Sequence, residues 1–125
     1  MANWINFFTL NIGTSATLAG LLDLVKSDRL DIIFLQEVRL SSDQLESLLR
    51  GYRAVSNVDF DNPSRPGTAI VWREGMPVEN VVNLVECRLQ VASVGDLCLI
   101  NVYAPSGSNR RQDRAKFYAE DVFII

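Results

Sequence analysis

A layered fold that mixes helices and strands, of the α/β (α+β) class, is predicted for this 125-residue chain by three features of its sequence. The first fifty residues read as two strand-then-helix units. The stretch from Thr68 to Pro105 reads as short strands joined by tight turns. The mixture is 48% hydrophobic and 22% charged, as in folded globular chains and unlike disordered ones.

Taken in order, residues 4–12 are rich in aromatic and β-branched types, and Ile5, Phe7, Thr9 and Asn11 would share one face of a strand ending at Asn11. Gly13-Thr14-Ser15 supplies a turn and capping residues. Leu18, Leu21, Leu22 and Val25 then recur at the spacing of a helix with one apolar face. A second strand, Asp31 to Glu37, holds the unbroken run Ile32-Ile33-Phe34-Leu35, as in a strand covered on both faces, and closes on Gln36 and Glu37. A second helix fits Ser42 to Arg50, with Ser41 and Gln44 in capping-box spacing, Leu45, Leu48 and Leu49 on one face, and Gly51 to end it.

Residues 57–67 have the Asp, Asn, Pro and Gly density of a surface loop. Strands are expected at 68–73, 78–84 and 87–94, and Gly95-Asp96 makes a two-residue hairpin turn into the apolar strand that begins at Leu97 and ends in Asn101-Val102-Tyr103-Ala104-Pro105. This meander implies antiparallel pairing. Beyond the polar loop 106–109 a third helix is expected, with Ala115, Tyr118, Val122 and Ile125 on one face.

The length suits one domain. A net charge of −3 does not advertise nucleic-acid binding through bulk charge, although Arg110, Arg111, Arg114 and Lys116 crowd one short segment. That segment is either an anion-binding patch or the solvated face of a helix. Cys87 and Cys98 lie in apolar runs with no histidine in the chain to share a metal, so both are expected to be free buried thiols in a reducing compartment. No secretory leader and no membrane-length apolar run is present, which gives the expectation of an intracellular, soluble protein without membrane contact.

Three polar residues, Asn11, Glu37 and Tyr103, each end an expected strand, and in one sheet they would gather at one edge, where open sheets place ligands. A carboxylate leaving so apolar a strand must reach solvent or hold a cation, and Mg²⁺ is a natural partner because it takes oxygen ligands and keeps waters and phosphates in its other positions. Each residue also has an ordinary role open to it: a salt bridge for Glu37, a turn for Asn11, an amphipathic edge position for Tyr103.

The order and local sequence of Leu10-Asn11-Ile12, Leu35-Gln36-Glu37, Gly67-Thr68-Ala69-Ile70 and Asn101-Val102-Tyr103-Ala104-Pro105 resemble the first half of the endonuclease/exonuclease/phosphatase superfamily, with most likeness to the apurinic-like endonuclease domains of non-LTR (LINE-type) retrotransposons. The resemblance implies a four-layer α/β sandwich of two facing, largely antiparallel sheets with flanking helices, and hydrolysis of a phosphodiester with a divalent cation, Mg²⁺ or Mn²⁺. By position it implies that Glu37 is the metal ligand, that Asn11 contacts the scissile phosphate or the metal's waters, and that Tyr103 hydrogen-bonds a phosphate oxygen. Ser106, Arg110 and Arg111 would face the DNA backbone, with Ser106 standing where relatives often have Asn.

Family members continue with a Gly-Asp-x-Asn motif and a later Asp-His pair, and neither occurs in these 125 residues. The expectation is therefore a single incomplete domain over residues 1–125, the N-terminal part of a DNA-nicking endonuclease that is inactive by itself. DNA is the expected partner, a downstream reverse transcriptase domain a further one in a longer protein, and the nucleus the expected location. A non-catalytic module binding nucleic acid or protein is the alternative, and a lipid or inositol phosphoester is a third substrate class.

Overall fold

The computed structural model describes residues 4–27, 29–104 and 110–122. Strand β1 (Phe7–Asn11) leads into helix α1 (Ser15–Ser27), whose first turn is capped by Thr14: its hydroxyl accepts from the Thr17 amide at 3.2 Å. Strand β2 (Ile32–Val38) is followed by helix α2 (Ser42–Leu48). The capping box predicted there is formed, with the Gln44 amide donating to Ser41 Oγ and the Ser41 amide to Gln44 Oε1. Gly51 follows at φ +85°, a left-handed conformation that glycine adopts without penalty.

Strand β3 (Tyr52–Asn57) was not expected from the sequence. Polar residues stand on both of its faces, Ser56 on one and Arg53 and Asn57 on the other, which erases the alternation that marks a strand. Strands β4 (Gly67–Arg73), β5 (Val78–Val85), β6 (Leu89–Val94) and β7 (Leu97–Val102) complete the sheets. The chain then forms helix α3 (Arg111–Lys116) with a π-helical continuation, Phe117–Val122.

The strands form two sheets, ordered β1-β2-β4-β3 and β5-β6-β7. β1 and β2 are parallel, joined by the α1 crossover, and every other pairing is antiparallel. On the outer face of the first sheet, Leu21 of α1 and Leu45 of α2 pack with Leu49 onto Ile33, Leu35, Ala69 and Val71. Between the sheets, Ile32 and Ile70 meet Ala92 and Val94, flanked by Phe34, Trp72 and Leu99. β2 is thus buried on both faces, as its unbroken apolar run predicts.

Several expectations are corrected here. Tyr103 follows a strand of the second sheet, whereas Asn11 and Glu37 belong to the first, so the three strand ends do not lie in one sheet. The inner face of the first sheet is covered by the second. On the far side of the second sheet Val82, half-buried Val91 and Ile100 are cross-strand neighbours, and Val82 and Ile100 are exposed. Cys98 shares that far side and is exposed, because Leu99 and Asn101 occupy the inward positions of β7; Cys87 is buried as expected.

Residues 86–88 form a turn, with Cys87 at φ +65°, and the Asn57 amide group holds it from below: Nδ2 donates to Val85 O at 2.8 Å and Oδ1 accepts from the Cys87 amide at 3.1 Å. The strand expected from Cys87 therefore starts at Leu89. Leu48 is exposed beside its buried neighbours Leu45 and Leu49. In the third helix Phe117 is the buried residue, Ala115 and Tyr118 face solvent, and Ile125 lies outside the described residues.

Candidate active site

The layer between the sheets changes character along β2. At the Ile32 end it is apolar; at the Gln36 end it is built of carboxamides. Asn101 is buried on β7 and donates through Nδ2 to Leu35 O (3.2 Å), Ala69 O (2.9 Å) and Gln90 Oε1 (3.3 Å). Its Oδ1 accepts from Gln36 Nε2 at 3.0 Å, and Gln36 Nε2 also reaches Thr9 Oγ1 on β1. Gln90 in turn donates to Val55 O and to Asn83 Oδ1. These bonds pin the ends of β1, β2, β4 and β7 together, because each buried amide left unmade would cost about 1–3 kcal/mol. Beside them the Thr68 hydroxyl is buried and has no hydrogen-bond partner among the described residues.

Immediately past Gln36 the ladder slips. Gln36 pairs with Thr68 and Val38 with Gly67, leaving Glu37 as the extra residue of a β-bulge at φ +55°. Bulges re-aim side chains beside functional sites, and a non-glycine residue in the left-handed region costs on the order of 1–3 kcal/mol. Here the bulge lets Val38 return to the core beneath α1 and α2 while the Glu37 side chain turns across the end of β1. The carboxylate comes to rest against Gly13: a Cβ placed on residue 13 would collide with Glu37 Oε2 and lie 3.2 Å from Asn11 Oδ1. Asn11 Oδ1 accepts from the Gly13 amide at 3.0 Å. The sequence-predicted pair Asn11 and Glu37 is therefore brought together at one point. The Glu37 carboxylate has no hydrogen-bond or ion-pair partner among the described residues, and it opens onto a cavity of about 190 Å³ that Ile12, Thr14 and Arg39 also line.

Tyr103 stands two residues beyond Asn101. Its amide donates to Arg88 O at 2.8 Å, Arg88 Nη1 donates back to Tyr103 O at 3.2 Å, and the Arg88 guanidinium lies 5.0 Å over the Tyr103 ring. Arg88 is one of the residues that sequence reasoning missed. Burial and the nearby Arg110 both pull its pKa down, since each disfavours the charged form. Arg110, Arg65 and Lys116 share a cavity of about 390 Å³ with it. Arg65 is paired with Glu86 at 2.9 Å and Arg110 with Asp113 at 3.4 Å. Arg111 is exposed on the first turn of α3, and Ser106 lies outside the described residues.

The other missed residues are Gly13 and Asn101. Asn101 had a signal available, a carboxamide at an inward position of an otherwise apolar strand. Gly13 had none, because the collision it avoids comes from a residue twenty-four positions away.

The donor set fits a hard cation that keeps most of its waters: one unpaired carboxylate beside one amide oxygen, with no group of three or more Asp, Glu, Cys or His side chains among the described residues.

No curated protein sequence matches the chain. Among solved structures it is similar to an AP endonuclease from Archaeoglobus fulgidus (21% identity, TM-score 0.71, covering 93% of this chain and 49% of that one). It is similar also to a 3'-5' exonuclease from Neisseria meningitidis (23% identity, TM-score 0.65, 92% and 48%) and to the AP endonuclease LMAP from Leishmania major (17% identity, TM-score 0.64, 95% and 45%). The chain spans about half the length of these structures, and the shared feature is the fold of two sheets with flanking helices. The Endonuclease/Exonuclease/phosphatase family model matches residues 8–125, so the chain belongs to that family.

Proposed function

We propose that this chain is the N-terminal part of a divalent-metal-dependent phosphodiesterase acting on DNA, an apurinic-like endonuclease of the kind encoded by non-LTR retrotransposons, and that these 125 residues alone form an incomplete catalytic unit. The observation that carries the reading is the convergence of Glu37 and Asn11 on Gly13 at the ends of two adjacent parallel strands, with a carboxylate that has no partner among the described residues held by a bulge. A solved relative, the 3' phosphatase NExo from Neisseria, is bound to a product DNA hairpin, which supports DNA as the substrate class.

In this reading Glu37 holds Mg²⁺ or Mn²⁺, which when bound neutralises charge on the phosphoryl oxygens. Asn11 orients the phosphate or the cation's waters through its amide. Tyr103 donates to a phosphate oxygen, and its position is fixed by its amide's bond to the Arg88 carbonyl and the return bond from the Arg88 guanidinium. Arg110 and Arg111, with Arg88 behind them, contact the sugar-phosphate backbone, which positions a duplex without reading its sequence.

The test is nicking of supercoiled plasmid with Mg²⁺. The 125-residue chain is expected to leave it intact, whereas a longer polypeptide carrying the Gly-Asp-x-Asn and Asp-His motifs nicks, and Glu37→Gln lowers that rate by about a thousandfold. Nicking by the short chain that Glu37→Gln abolishes would overturn the incompleteness; failure of the longer one would overturn the endonuclease reading. Gel-shift titration in salt adds a second arm, since each phosphate contact removed, as by Arg110→Ala, should lower the slope of log K against log salt by about 0.9.

A further inference from the structure

We infer that Gly13 is a positioning residue for the Glu37 carboxylate, a role that rests on the metal-binding reading of Glu37 and extends it to a residue outside the family motifs discussed above. Gly13 is not in the left-handed region, so backbone conformation does not require glycine there. The requirement is spatial: the position of its missing Cβ is taken by the end of the Glu37 side chain. Because the colliding atom is the tip of a flexible side chain rather than backbone, a methyl at residue 13 would displace the carboxylate instead of unfolding the chain. The displaced group would move away from Asn11 Oδ1, and Arg39, which lines the same cavity, offers it an alternative charge partner. Gly13 thereby does two things at once. Its amide fixes the Asn11 oxygen, and its bare Cα leaves the space in which the Glu37 oxygen meets it.

The experiment compares wild type, Gly13→Ala, Glu37→Gln, Glu37→Ala and the double variant Gly13→Ala/Glu37→Ala by NMR of the 125-residue chain, with Mn²⁺ as the probe. Gly13→Ala should keep the amide spectrum of the fold and a thermal midpoint within about 3 °C. It should lose the NOE between the Glu37 γ-methylene and residue 13, and bind Mn²⁺ at least about tenfold more weakly, a loss of about 1.4 kcal/mol, read from broadening at Asn11 and Glu37. On the Glu37→Ala background the same Gly13→Ala change should move the thermal midpoint less than it does in wild type, since the Glu37 collision is gone and only the 3.2 Å approach to Asn11 Oδ1 remains.

Retention of the NOE and of Mn²⁺ affinity in Gly13→Ala would overturn the inference, and so would loss of the folded spectrum, which would make residue 13 structural. Wild type without Mn²⁺ broadening that Glu37→Gln removes would overturn the metal reading instead, and the NOE comparison would still decide the role of Gly13.

Discussion

Gln36 Nε2 donates to Asn101 Oδ1 at 3.0 Å across the two sheets, one residue before the bulge that carries Glu37. The bond joins residues 65 apart in sequence and stands at the polar end of an otherwise apolar interface. Apolar contacts would hold the sheets together as well, but they would leave the carbonyls of Leu35 and Ala69 unbonded by Asn101 and the C-terminal end of β2 less firmly located.

Asn101→Ala is accordingly expected to destabilise the fold by about 3 kcal/mol, more than the typical single substitution, since four bonds of the buried Asn101 side chain are lost and most of their partners stay buried. Urea unfolding at neutral pH measures it. Asn101→Asp should be worse at pH 7, where a carboxylate would face two carbonyl oxygens, and should recover partly below about pH 5, where it is protonated.

Glu37→Gly separates stability from chemistry. Glycine relaxes the φ +55° conformation, so the variant is expected to match or exceed wild type in stability by about 1 kcal/mol while losing Mn²⁺ binding altogether. A fall in stability of more than about 1 kcal/mol would mean that the Glu37 side chain contributes packing that outweighs the backbone strain.

Asp31 ties the opposite end of β2 to its surroundings. Burial alone would raise its pKa, but the Asn6 amide at 2.9 Å, Arg29 at 3.2 Å and Arg73 at 3.5 Å outweigh it and hold the carboxyl below the usual value. A carboxylate whose folded pKa is depressed adds stability that is complete above its unfolded pKa of about 4 and is lost as pH falls through that value and the lower folded one. Wild type should therefore lose stability between about pH 5 and pH 3 more steeply than Asp31→Asn, with the two curves closest in acid. Denaturation midpoints across that range decide it.

Local patterning made much of the first half legible. The unbroken apolar run of β2, the 3-4 spacing of α1 and the capping box of α2 each depend on neighbours a few residues away, and all three formed as the sequence dictates. The hairpin turn at Gly95-Asp96 belongs with them, Gly95 taking φ +57°. Asn11 and Glu37 could be singled out because a polar residue closing an apolar strand stands out in one dimension. Tertiary structure alone decided the rest. Membership of Tyr103 in the opposite sheet, the pairing of β3, the carboxamide layer around Asn101 and the seat of Glu37 on Gly13 all depend on contacts between residues 11 to 66 positions apart in the chain. Short-range periodicity carries no information about such distant pairings, because they are set by how two finished sheets face each other.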